Sequence, residues 1–140
     1  MICPYCNNAA QFVDNAAIYG RRYGTSWMAY WCKPCDARVG VHQNDPARPL
    51  GTLANKELRG WRVKAHAAID PIWQTRAMSR KSVYRWLSEE LEQEIHVGQA
   101  DALLCHQIIT AAAKLNAELD YRDVETSMNL DYGTTDFLND

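Results

Sequence analysis

The feature that most constrains this chain is a pair of cysteine doublets. Cys3-Pro4-Tyr5-Cys6 and Cys32-Lys33-Pro34-Cys35 stand 25 residues apart. Zinc takes four soft donors in a tetrahedron, and each C-x-x-C turn delivers two thiolates from one tight loop. Backbone amides in such a turn can point at the sulfurs and stabilise their charge. Asn7 and Asp36 directly follow the doublets, where a left-handed residue would close the turn. The spacer is long enough for strands that bring the two turns together. The expectation is one structural zinc ion on Cys3, Cys6, Cys32 and Cys35, with a zinc ribbon folded around it.

A dithiol redox role is the rival reading, because C-P-Y-C also occurs in glutaredoxin-like proteins. There it follows a strand and opens a helix whose N-terminus lowers the thiol pKa. Here it begins at residue 3, Asn7-Asn8 does not open an amphipathic helix, and a second doublet awaits a partner. Zinc is the better account. The fifth cysteine, Cys105, falls on an apolar helical face and reads as a core residue.

The rest of the chain divides by pattern. Residues 1–45 are rich in Gly, Asn, aromatic and β-branched residues and read as short strands with tight turns. The candidate strands are Gln11–Val13, Ala17–Tyr19, Trp27–Trp31 and Arg38–His42. Gly20 and Gly24 bracket a turn bearing Arg21, Arg22 and Tyr23, and both glycines permit positive φ. Residues 46–54 form a Pro-rich connector. Residues 55–117 carry three helical patterns. The first starts at an Asn55 N-cap, buries Leu58, Trp61, Ala65 and Ile69, and ends at Asp70-Pro71. The second runs from about Ser79 to Glu94 and the third from about Ala100 to Ala117. Residues 118–140 read as an acidic, flexible tail. The expected class is α+β: a ribbon of short antiparallel strands followed by a three-helix unit.

Charge is distributed unevenly. Residues 1–86 carry 13 Lys/Arg against five Asp/Glu, whereas residues 116–140 carry one Arg against seven acids. Eleven of the 14 aromatic residues share the basic region, a pairing that suits phosphate contact plus base stacking. The candidate nucleic-acid contacts are Arg21, Arg22 and Tyr23 on the turn, with Lys33 and Arg38 flanking the second doublet. Trp27, Tyr30 and Trp31 read instead as packing residues. Arg80 and Lys81 fall in the first turn of the second helix, where the macrodipole disfavours cations. An anionic partner, or the acidic tail, would offset that.

Several strings resemble a bacterial and phage family of zinc-finger-containing domains. They are CPYC, FVDNA-x-IYGRRYG, WCKPCDARVGVH, PLGTLA, AHAAIDPIW and SRKSVYRWL, and the segment from His96 to Cys105 adds to them. The resemblance covers about residues 1–110. It implies a four-cysteine zinc site and a home in phages, prophages and mobile elements. It implies no particular activity.

Function is expected to be non-enzymatic. Four cysteine ligands leave zinc no open position, and neither H-E-x-x-H nor a phosphate loop is present. The first expectation is an accessory factor that binds DNA or RNA through the basic, aromatic ribbon face. The alternative is a protein-interaction module or inhibitor that engages a host or phage protein through the ribbon or the acidic tail. No apolar run approaches the roughly 18–20 residues that span a bilayer. No basic and apolar leader opens the sequence either, so no membrane partner and a cytoplasmic location are expected.

Overall fold

A computed structural model of the protein describes residues 1–75 and 78–131, with side chains through residue 123. It is an α+β chain: a three-stranded antiparallel sheet carrying the cysteines, then helices. The strands are β1 (Gln11–Asp14), β2 (Met28–Cys32) and β3 (Ala37–Gly40), in the order β1-β2-β3. Phe12 lies opposite Tyr30, and Trp31 opposite Arg38.

One expected strand is a helical turn instead. Ala17–Tyr19 belongs to α1 (Ala16–Tyr19). Local polar contacts override the β propensity here. The Asp14 carboxylate accepts from the Ala16 N–H at 2.9 Å, and the Asn15 carbonyl accepts from Ile18 and Tyr19. Gly20, at φ 79°, ends the turn in the left-handed region. The arginine-bearing segment is therefore a loop leaving α1 rather than a turn between two strands. Gly24 also has positive φ, at 72°, as the sequence implies.

Helix α2 (Lys56–Thr75) starts as expected: Asn55 Oδ1 accepts from the Leu58 N–H at 3.0 Å. It does not end at Asp70-Pro71. Pro71 sits inside it, and the helix continues through Ile72, which is fully buried, and Trp73, which packs on the core. A proline inside a helix costs about 3 kcal/mol. Burying an isoleucine and most of a tryptophan offsets a cost of that size. Helix α3 (Arg80–Leu91) is capped by Ser79, whose Oγ accepts from Ser82 N–H at 3.0 Å.

Helix α4 (Ala102–Asp131) runs far past Ala117, so the acidic segment is helical as far as Asp131. Acidic composition does not oppose this, because Glu, Leu, Met and Arg are good helix formers and Leu119 still touches the core. The remainder of the expected tail, 132–140, lies outside the described residues. Among the described residues no helix is long and apolar enough to cross a membrane.

Two cores result. The larger joins Ala65, Ile69 and Ile72 of α2, Val83 and Leu87 of α3, and Cys105, Ile108, Ala112 and Leu115 of α4. Cys105 is thus a core residue, and burial pushes its thiol pKa up. The smaller core is Cys3, Cys32, Ala37 and Leu53. Leu53 comes from the Pro-rich connector, which packs into the ribbon rather than hanging between two units.

Polar contacts lock the units together. Arg59 of α2 donates to Asp36 Oδ2 at 3.1 Å and to the Asp36 and Ala54 carbonyls. Arg62 donates to the carbonyls of Thr52 and Ala100 at 2.8 and 3.1 Å. Tyr5 Oη accepts from the Asn55 N–H, and the Thr52 N–H donates to the Gly98 carbonyl at 2.9 Å.

Candidate metal centre

The first cysteine doublet is folded by its own backbone. Asn7 N–H donates to the Cys3 carbonyl and Cys3 N–H to the Asn8 carbonyl, both at 2.8 Å. Ala10 N–H reaches back to Met1, so residues 1–10 close into a small loop. The second doublet is a 3-10 turn over Lys33–Cys35, with Pro34 inside it. Asn7 and Asp36 close the two turns at φ 63° and 49°, the left-handed geometry expected at both positions. Neither is glycine; short polar side chains tolerate this region better than most.

The antiparallel sheet then brings the turns together. The four sulfurs of Cys3, Cys6, Cys32 and Cys35 all lie within 4.8 Å of one another, with Cys6 and Cys32 at 3.6 Å. Cys3 and Cys32 are buried, Cys6 and Cys35 half-buried. The donor set fits zinc on its chemistry: four thiols, no carboxylate, and a spacing that a tetrahedron of Zn–S bonds satisfies.

The acidities of three of the thiols are shifted by their crowding. The Asn8 backbone amide, aided by neighbouring thiols, lowers Cys6 to about 7. Cys35 is pushed up to about 12, first by its hydrogen bond with Cys6 and then by burial. Cys32 feels a lowering pull from the Cys35 backbone amide, yet burial and the Cys6 and Cys3 thiols raise it. Without a metal, thiolates this close cannot all ionise, because each one opposes the next. A divalent ion reverses that opposition and holds all four deprotonated. With four cysteines bound, the ion has no open coordination position, so its role is to hold the fold.

The other residues singled out by sequence are partly gathered around this ribbon. Lys33 Nζ lies 5.9 Å from the Trp31 ring centroid. Trp31 stands opposite Arg38 on the sheet, and the Arg38 guanidinium lies 5.2 Å from the Tyr19 ring. The Tyr19 and Tyr23 rings are 5.4 Å apart. Lys33, Arg38 and Tyr23 therefore belong to one run of side chains. Arg22 is engaged elsewhere: its Nε donates to Asp14 Oδ2 at 3.0 Å, and its guanidinium lies 4.4 Å from the Trp27 ring. Arg22 and Arg38 both hold carboxylates, Asp14 and Asp36 respectively. Among the described residues no carboxylate pairs with Arg21 or Lys33.

Tyr19, which adjoins the arginine-bearing turn, lies under Arg38. Trp27, expected to pack, is instead 50% exposed, and its proximity to that turn is the available signal. Asn15 is a second residue that the sequence does not single out. Buried at 5% exposure, it donates to the Tyr23 carbonyl at 2.7 Å and accepts from the Tyr23 N–H at 3.0 Å, which fixes the loop.

No curated protein and no solved structure gives a significant match to the chain. A family model described as a zinc-finger-containing domain matches residues 1–115, which takes in the four cysteines, the sheet and all three long helices through Leu115. The chain, with its one zinc site on Cys3, Cys6, Cys32 and Cys35, belongs to that family of zinc-finger-containing domains.

Proposed function

We propose that the zinc-held ribbon presents a basic, aromatic surface to nucleic acid, as a non-enzymatic accessory factor. One observation carries the reading: the run Lys33–Trp31–Arg38–Tyr19–Tyr23, in which cations and aromatic rings adjoin along the ribbon. Cations meet phosphates, and aromatic faces stack on bases, so this alternation suits a sugar-phosphate chain. Tyr23 is 70% exposed and Arg21 is unengaged by described carboxylates, so both are open to a partner. An accessory role of the phage or mobile-element kind follows from the resemblance of the sequence strings.

The test is binding of labelled DNA and RNA to the zinc-loaded protein across a salt series. Affinity should fall steeply as salt rises. Arg21→Ala/Lys33→Ala should weaken binding and flatten the log–log salt slope by about 1.4 on a single strand, about 0.7 for each phosphate no longer neutralised. Binding that is salt-independent, or unchanged in the double variant, rules the surface out.

A further inference from the structure

Three cations of the helical unit, Arg80, Lys81 and Arg85, line one cleft. Arg80 and Lys81 open α3, and Arg85 follows one turn later. The first turn of α3 holds no acid, although the helix dipole there favours anions. Among the described residues no carboxylate lies within ion-pair distance of Arg80, Lys81 or Arg85. These like charges repel one another and oppose the dipole, and a bound anion relieves both effects.

The cleft has a volume of about 930 Å³ and is also lined by His66 of α2 and by His96. Its one described carboxylate, Glu94, is engaged by His96 Nε2 at 2.9 Å. Tyr84 adds an aromatic ring beneath Arg80, 4.6 Å from its guanidinium. Leu50 forms one edge of the cleft and is 54% exposed. The same Leu50 edges a second cleft of about 260 Å³, where Tyr19, Tyr23 and Arg38 of the ribbon stand. Leu50 is thus a residue that both hollows share. Their relative position is fixed, because Thr52 N–H bonds the Gly98 carbonyl and Gly51 packs directly on Gly98.

We propose that one unpaired strand of nucleic acid runs through both clefts across Leu50. Bases meet Tyr19 and Tyr23 at the ribbon end, and phosphates meet Arg80, Lys81 and Arg85 at the helical end. The proposal rests on the nucleic-acid reading of the ribbon and extends it to the form of the ligand and a second contact site. A single strand fits better than a duplex for two reasons. Both contact regions are concave, and an aromatic ring reaches a base face only when that base is unstacked.

The experiment measures fluorescence anisotropy of the full-length, zinc-loaded protein with three probes. These are a single strand of about five nucleotides, one of about sixteen, and the duplex of the longer strand, a range that brackets common single-strand site sizes. The longer strand should bind at least about tenfold more tightly than the short one, and more tightly than the duplex. Lys81→Gln/Arg85→Gln should erase the gain with length and flatten the salt slope on the long strand by about 1.4, while leaving the short strand unaffected. Both side chains are exposed and make no ion pair among the described residues, so the thermal melt should be no lower than that of the parent. A double variant that keeps the length gain overturns the cleft and leaves the ribbon reading standing. A duplex that outcompetes the single strand overturns the strand assignment. No binding of any probe by the parent protein defeats both readings together.

Discussion

The two halves of this molecule are held by different forces. The helical unit buries thirteen side chains in one continuous apolar cluster, with aromatic residues packed around it. The ribbon core has four buried residues, and two of them, Cys3 and Cys32, are metal ligands. Burying a leucine contributes about 1.5–3 kcal/mol. Leu53 and Ala37, even with Ala29, Val41 and Ala54 buried in the same region, are too few and too small to order three strands and two knuckles. A structural zinc site contributes on the order of 10–16 kcal/mol at neutral pH. The ribbon devotes little chain to a core because a metal stands in for one, and five of its aromatic residues, Tyr5, Phe12, Tyr19, Tyr23 and Trp27, are left exposed.

Removing the metal should separate the halves most sharply. Strong chelation, or Cys32→Ser, should unfold the ribbon while the helices persist. Far-UV circular dichroism would keep its helical signal, and amide resonances of residues 1–45 would collapse toward random-coil positions. Because the bound cysteines must be thiolates, protons compete with zinc, and the chelator concentration required should fall as the pH falls. A ribbon that stays ordered without metal would erase the contrast.

The reciprocal change is smaller. Leu87→Ala opens a cavity in the larger core and should cost about 2–5 kcal/mol of helical stability. Zinc content, measured by a chromophoric chelator, should be unchanged. Loss of zinc in that variant would show that the two halves fold as one.

Gly51→Ala addresses the junction between them. A Cβ at that position would collide with the Gly98 carbonyl, a backbone group that cannot yield cheaply. Overpacking of this kind costs about 1–3 kcal/mol. Calorimetry should show the ribbon and helical transitions further apart than in the parent. Transitions that do not move would mean that the junction contributes little.

The contrast also explains what could be read in advance. The zinc ligands are legible because the metal demands a fixed residue type at a fixed spacing. The left-handed turns at Asn7 and Asp36 follow from the same geometry. Apolar faces of the helices are legible because Ala65, Ile69, Val83, Leu87, Cys105 and Ile108 recur with helical spacing. The misreadings arise where local signals lose to their neighbours. Ala17–Tyr19 has strand-like residues, but Asp14 and Asn15 turn it into a helix. Pro71 should stop α2, but Ile72 and Trp73 have a core to enter. Leu53 looks like part of a linker, and only the folded ribbon shows the space it fills. Arg59 looks like a solvated helix residue, and its partner Asp36 lies 23 positions away.

The side chain of Asn15 has a consequence beyond the loop that it holds. Its amide satisfies both the N–H and the carbonyl of Tyr23 and reaches toward the Ser26 carbonyl at 3.4 Å. An aspartate here would turn a donor into an acceptor facing two carbonyls, so the choice of amide over acid is chemically forced. The segment carrying Arg21, Arg22 and Tyr23 thus gives up its conformational freedom when the ribbon folds. Whatever docks on it meets a surface already in shape, so docking costs little further entropy.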